Sequence, residues 1–176
     1  KDIQLLSESS SGIGEIGLDS KYGSMSLQRR LFERQLEIAE SNASLVVTLH
    51  TRETISDVIE ELSRYRIKNC VLFHWFSGTE QELKKVHSLG YYTSFGLPVL
   101  YSKRIARLVL SADQELLLAE SDSPVVFESI SGSGPLTPFA VTSVIFGMSV
   151  IRGVSFDEML RVNDANADMY LKRKTH

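Results

Sequence analysis

Five short apolar runs divide the chain, and the polar stretches between them mostly carry apolar residues at helical spacing. Ile13 to Leu18 reads as a buried strand ending at Asp19. From about Leu27 to Ser41 the pattern predicts a helix, with Leu27, Leu31 and Ile38 on one stripe and Phe32, Leu36 and Ala39 beside it. Leu45 to Leu49 is a second β-branched, apolar strand ending at His50, and Ile55, Val58, Ile59 and Leu62 then repeat as one face of a second helix. Cys70 to Phe73 is a third strand, ending at His74. Thr79 with Glu82 three residues on is a capping box, Leu83 and Val86 supply the apolar face behind it, and Gly90 marks the helix end. Tyr91 to Phe95 and Leu116 to Ala119 make the fourth and fifth strands. Beyond a Gly/Ser/Pro loop from Ser129 to Pro138, Val141, Val144, Ile145, Met148 and Ile151 spell another helix. Ser155 and Glu158 cap a last one, running to about Lys172.

Apolar strands alternating with amphipathic helices indicate parallel βαβ units whose sheet is covered by helices, an α/β fold. The 176 residues suit one domain with a real core, and 43 % hydrophobic with 23 % charged residues excludes a disordered or fibrous class. The stretch from Val141 to Ile151 is too short and too interrupted by Thr142, Ser143, Gly147 and Ser149 to span a bilayer. Cys70 has no second cysteine to pair with, which suits a reducing cytoplasm, and no secretion leader opens the chain. The Ser-rich stretch from Ser7 to Gly12 reads as a loose entry. A net charge of −3 argues against an extended, non-specific hold on duplex DNA but not against a phosphate held by metal ions.

The polar residues at the strand ends carry the chemistry. Glu15 lies within the first strand, His50 ends the second, His74 ends the third and Asp122 follows the fifth. In parallel α/β folds the active site lies at the carboxyl edge of the sheet, so these side chains converge. Two imidazoles and two carboxylates are the N/O ligand set that Zn²⁺ and similar cations take. Each residue also has a structural reading: a hydrogen-bonded strand-end histidine, a salt-bridged buried Glu15, turn chemistry for Asp122 before Ser123-Pro124. His87, on a polar helix face, and the terminal His176 read as solvated. Of the basic groups, Arg29, Arg30 and Arg34 read as a solvated helix face. Lys103, Arg104 and Arg107 read the same way, but they alone follow a strand end, where substrate backbone would pass.

These residues sit in four motifs. Gly14-Glu15-Ile16-Gly17-Leu18-Asp19, Val46-Val47-Thr48-Leu49-His50-Thr51-Arg52, Phe73-His74-Trp75-Phe76-Ser77-Gly78 and Leu118-Ala119-Glu120-Ser121-Asp122-Ser123-Pro124 appear in that order. Together with Gly134-Pro135-Leu136-Thr137-Pro138 and Asn166 ahead of Tyr170, they resemble the segments of TatD-type deoxyribonucleases, with Ser121 where threonine is usual. The resemblance covers nearly the whole chain. It implies a distorted TIM (β/α) barrel of the amidohydrolase-like group with a two-metal site (Zn, Mg or Mn) at its C-terminal face. Glu15 would bridge the metals, His50 and His74 would bind one, and Asp122 would bind the other and orient or deprotonate the attacking water. Two such cations suit phosphodiester hydrolysis, and DNA is the implied substrate, cleaved from 3′ to 5′. Arg52 is the phosphate contact by its bidentate geometry, or else an ion-pair partner of Glu15 or Glu120. Trp75, Phe76 and Tyr92 divide between base stacking and core packing, with at least two expected in the core.

The family's opening strand with His-x-His is not in this sequence, and about two N-terminal βα units are absent relative to an eight-stranded barrel of about 250 residues. The expectation is that the missing part belongs to the protein but not to this chain. By itself the chain then holds three ligands for one metal (Glu15, His50, His74) and two for the other (Glu15, Asp122), so alone it is expected to bind one metal well and a second poorly and to be weakly active or inactive. Two other functions stay open: hydrolysis of a different ester, such as an aminoacyl ester on tRNA, and a crippled barrel kept for binding. No membrane and no obligate protein partner are implied.

Overall fold

The architecture follows from strands too short and apolar to face water on either side. A computed structural model describes residues 9–126 and 135–172. The start of the Ser-rich entry at Ser7, the Ser129 to Gly134 part of the loop and His176 lie outside the described residues.

Strands β1 (Gly12–Asp19), β2 (Val46–Arg52), β3 (Val71–Phe73), β4 (Tyr92–Phe95) and β5 (Leu117–Ala119) form one parallel sheet in sequential order. Helices α1 (Met25–Ser41), α2 (Ile55–Leu62), α3 (Glu80–Ser88) and α4 (Lys103–Ser111) return the chain between them, and α5 (Ala140–Arg152) and α6 (Phe156–Lys172) follow. Sequential parallel order with a helix after each strand is the wall of a (β/α) barrel. Among the described residues β1 and β5 are not paired with each other. Helix α4 is an element beyond those the apolar runs predict; Ser102 caps it by accepting from the Ile105 amide, and Ile105, Leu108 and Val109 are its buried face.

The two-residue period of a strand sorts the side chains. On β2, Val47, Leu49 and Thr51 are buried toward the helices, while Val46, Thr48 and His50 take the opposite, inner face. The outward set joins Phe32, Leu36 and Ala39 of α1, Val58 of α2, Leu83 and Val86 of α3, and Leu108 of α4 in the main core. Leu27 and Leu31 of α1 are exposed instead of buried, a correction to the predicted stripe. The helix carries two apolar stripes, and the one containing the bulkier Phe32 meets the sheet. On the inner face a smaller cluster of Cys70, Tyr92, Leu118 and Tyr170 fills the end remote from the strand termini. There the Tyr170 hydroxyl lies 3.0 Å from Thr48 Oγ1, and burial pushes its pKa up to about 12.

The Thr79 capping box forms as the pattern predicts, the Glu82 amide donating to Thr79 Oγ1 and the Thr79 amide to Glu82; at the start of α6 the Glu158 amide donates to Ser155 Oγ, the cap predicted there. Phe76 and Tyr92 are core residues and Trp75 is only half-buried, as expected for that trio. No single helix among the described residues is long and apolar enough to cross a membrane.

His87 is not solvated. Its Nδ1 accepts from the Asp113 amide at 3.1 Å, and Nε2 lies 2.9 Å from Thr93 Oγ1, so the neutral ring ties α3 to β4 and to the turn before β5. Burial lowers its pKa, the charge of Asp113 opposes this, and Arg152 adds to it. A depressed histidine pKa means the unfolded chain takes up the proton first, so this stability is present above the unfolded value and lost as pH falls through the folded one. The melting temperature is expected to drop on acidification below about pH 6.5, and His87→Gln to flatten that part of the profile. Superimposable profiles for parent and variant would remove His87 from the account.

Candidate metal centre

The carboxyl ends of the strands bring His50, His74, Glu15 and Asp122 to one side of the sheet, and a bulge explains how Glu15 gets there. Ile13 pairs with Val47 and Ile16 with Leu49, so Gly14 and Glu15 together oppose Thr48 alone. The extra residue turns Glu15 onto the inner face that β2 gives to Thr48 and His50. Its side chain is 47 % exposed, so the burial of Glu15 in the structural reading does not form, and its close partners are the two histidines. Glycine is required two residues later. Gly17 has φ of +142° and abuts the His50 carbonyl of the paired strand.

Glu15 Oε2 lies 3.1 Å from His74 Nε2 and 3.4 Å from His50 Nδ1. One donor atom from each of the three residues falls within 4.8 Å of the others. The two imidazole rings are 5.7 Å apart by centroid. Behind each ring stands a second carboxylate: Asp19 Oδ2 is 3.1 Å from His50 Nε2, and Glu120 Oε2 is 3.2 Å from His74 Nδ1. A carboxylate on one ring nitrogen fixes the tautomer and frees the other nitrogen to face a cation. The donor set therefore fits a divalent ion, held by Glu15, His50 Nδ1 and His74 Nε2.

Glu120 is itself pinned. Its Oε1 accepts from the Trp75 amide at 2.5 Å and from Ser94 Oγ at 2.7 Å. The sheet ladder runs past the ends of β3 and β5 to place these groups, His74 N donating to Leu49 O and Glu120 N to Phe95 O, both at 3.0 Å. Asp19 and Glu120 are histidine partners that the strand-end reading did not assign. A period-two count from Leu118 puts Glu120 on the inner face, which is the signal that finds it.

Asp122 stands in a turn at φ +53°, its carbonyl accepting from the Val125 amide. It lines a cavity of about 390 Å³ with His50, Arg52, His74, Trp75 and others, and lies outside the three-residue cluster. Burial raises its pKa, with Glu120 and Glu15 adding and the histidines opposing. For His74, burial works against protonation, but the hydrogen bond and charge of Glu120, then Glu15 and Asp122, outweigh it and raise the pKa. Asp19 is lowered: burial opposes this, and the Lys21 amide and His50 prevail. Four carboxylates around two imidazoles leave an excess of negative charge that a cation would neutralise.

Arg52 makes no salt bridge to Glu15 or Glu120, both of which engage histidines instead. It is exposed and lines the same cavity as His50 and Asp122.

Comparison with known proteins gives a consistent picture. The family described as TatD related DNase matches residues 2–172. An uncharacterized metal-dependent hydrolase of Mycoplasma genitalium is 33 % identical over 88 % of this chain and 62 % of its own length. A similar protein of Methanocaldococcus jannaschii is 31 % identical over 92 % of the chain and 63 % of its own length, so the chain spans less than two thirds of these relatives. A Danio rerio relative named as a candidate deoxyribonuclease is 28 % identical over 88 % of the chain. Among solved structures, the TatD homolog YjjV of Escherichia coli superposes with a TM-score of 0.86 at 24 % identity, covering 97 % of this chain and 70 % of that one. An uncharacterized amidohydrolase of Saccharomyces cerevisiae gives 0.85 at 18 %, covering 96 % and 69 %. At these identities the superpositions speak for the fold, a TIM-barrel wall.

Proposed function

This chain belongs to the TatD-related DNase family, and on that premise we propose that it is the greater part of a one-domain, metal-dependent phosphodiesterase acting on DNA from the 3′ end. The observation that carries the reading is a single carboxylate oxygen, Glu15 Oε2, within 3.4 Å of nitrogens from two histidines, each backed by its own acid. Two imidazole nitrogens and a carboxylate oxygen, each ring backed by an acid, are a donor set that a divalent cation takes. When bound there, a divalent cation supplies Lewis acidity toward a phosphoryl oxygen and acidifies water.

The chain's own residues divide the remaining work. Glu15, His50 and His74 would hold one ion, and Glu15 with Asp122 would contribute to a second. Asp122 takes the proton of the attacking water, a role suited to a carboxylate whose basicity burial has raised. Arg52 offers a fork of N–H donors to the phosphate across the cavity. Glu120 and Asp19 keep the His74 and His50 tautomers in place.

Incubation of the intact protein, of which this chain is the proposed greater part, with single-stranded DNA labelled at its 3′ end, in Mg²⁺, Mn²⁺ or Zn²⁺, tests this directly. Release of the label as the 3′-terminal mononucleotide, ahead of any internal cleavage, is the expected result. Activity confined to aminoacyl-tRNA would move the same chemistry to another ester, and no turnover with any of these metals would leave a binding protein.

The proposed ligand set also implies a stoichiometry. Titration of the metal-stripped 176-residue chain with Zn²⁺ is expected to show one tight site and a second weaker by at least about a hundredfold, since only two ligands serve it. Two equally tight sites would contradict the assignment.

A further inference from the structure

Two further cavities adjoin the one beside the metal ligands. The first, of about 420 Å³, is lined by Arg52, Ser77, Thr79 and Arg104 among others. The second, of about 220 Å³, is lined by Trp75, Ser77, Tyr101 and Arg104 among others. Ser77 borders all three, Arg52 and Trp75 each link the metal cavity to one neighbour, and Arg104 links the two outer ones. The result is a continuous depression that leaves the metal cluster over the end of β3 and reaches the first turn of α4.

Its walls differ in character. Arg52 and Arg104 are exposed and form no salt bridge among the described residues, although Asp19 and Glu53 feel the charge of Arg52 and Glu53 and Glu82 share the wall of the 420 Å³ cavity. Arg104 is nonetheless fixed: its Nη1 donates to the Ser77 and Gly78 carbonyls at 2.7 and 3.0 Å. A guanidinium has five N–H donors, and these bonds use one nitrogen. Trp75 and Tyr101 supply the aromatic side. The indole sits directly on Gly96, where a methyl group would lie 1.9 Å from the ring, so its position is set by that contact. Spaced cations beside aromatic surfaces match a single strand, whose phosphates and base faces alternate along one chain. Duplex DNA requires a broader basic surface than a chain of net charge −3 offers.

We propose that this depression is the track of a single-stranded polynucleotide and that Arg104 receives a phosphate beyond the scissile one, so that an oligonucleotide binds more tightly than a mononucleotide. The proposal rests on the phosphodiesterase reading and adds to it the path of the chain and a second phosphate subsite. Ser77 marks the crossing between the cation cluster and Arg104, and a ligand touching both must span two cavities.

Equilibrium binding tests it without turnover. The probes are a fluorescein-labelled phosphorothioate oligothymidylate of roughly six nucleotides and labelled thymidine monophosphate, each in Mg²⁺. Arg104→Gln is expected to weaken oligonucleotide binding about tenfold and to reduce the slope of log affinity on log salt by about one. The monophosphate should move less than about twofold, since it meets only the first phosphate position. Arg104→Lys should restore the slope but only part of the affinity, because lysine returns the charge without the fork. The proposal is overturned if the parent protein binds the oligonucleotide no tighter than the monophosphate. It also fails if Arg104→Gln leaves oligonucleotide binding intact, or if both ligands weaken equally, the sign that Arg104 serves only to brace the Ser77–Gly78 loop. Absence of DNA hydrolysis by the intact protein beside a positive binding result would overturn the phosphodiesterase reading and leave the track standing.

Discussion

Glu15→Gln is expected to lower the affinity of the metal-stripped protein for Zn²⁺ by at least about a hundredfold, and to abolish DNA hydrolysis, while leaving the fold intact. The substitution keeps the size and removes one charge. Because the Glu15 side chain is 47 % exposed, its replacement leaves no buried group unsatisfied, and stability should change by no more than about 0.5 kcal/mol. What is lost is the carboxylate oxygen common to His50 and His74, the only group that lies against both rings within the cluster. Glu120→Gln makes the informative comparison. It touches His74 Nδ1 but not the cation position, so its expected penalty is the 10- to 100-fold typical of groups behind a ligand. Calorimetric titration together with thermal melts reads both. If Glu15→Gln binds Zn²⁺ as tightly as the parent, the cluster is a hydrogen-bonded polar network and not a metal centre.

The sequence and the structure agree most closely where a residue's role depends on strand periodicity. His50 and His74 follow apolar strands with the right parity, so a count along the chain is enough to place them on one face. Glu15 obeys no such count. It belongs to a bulge, and only Gly14 and Gly17 on either side hint that the strand is irregular there. Asp19 and Glu120 were visible as acids at strand ends, but their attachment to particular ring nitrogens depends on side-chain reach across neighbouring strands. Helix α4 shows the converse case. Ile105, Leu108 and Val109 have helical spacing, but Arg104 and Arg107 interleave with them and make the stretch look like a charged surface run. Leu27 and Leu31 were misplaced because spacing reports that a helix has an apolar stripe, not which of two stripes the sheet will cover.

The bulge and the site meet at Gly17, and this yields the prediction with the largest expected cost to folding. Gly17→Ala places a methyl carbon 2.1 Å from the His50 carbonyl oxygen, a backbone atom in the paired position of β2. No side chain can swing away to relieve that contact; the strands must separate. At φ of +142° the alanine is also in a region of backbone space that is essentially glycine's alone. The two effects together are expected to cost more than about 3 kcal/mol, a drop in melting temperature on the order of 10 °C for a chain of this size. Ile16→Val, one residue away on the same strand, loses a single buried methyl and should cost about 0.5–1.5 kcal/mol. The two variants separate backbone approach from core packing. A Gly17→Ala protein that melts within about 2 °C of the parent would mean that β1 is not held against β2 at His50. The bulge would then not be what delivers Glu15 to the histidines, and the convergence of the three ligands would need another cause.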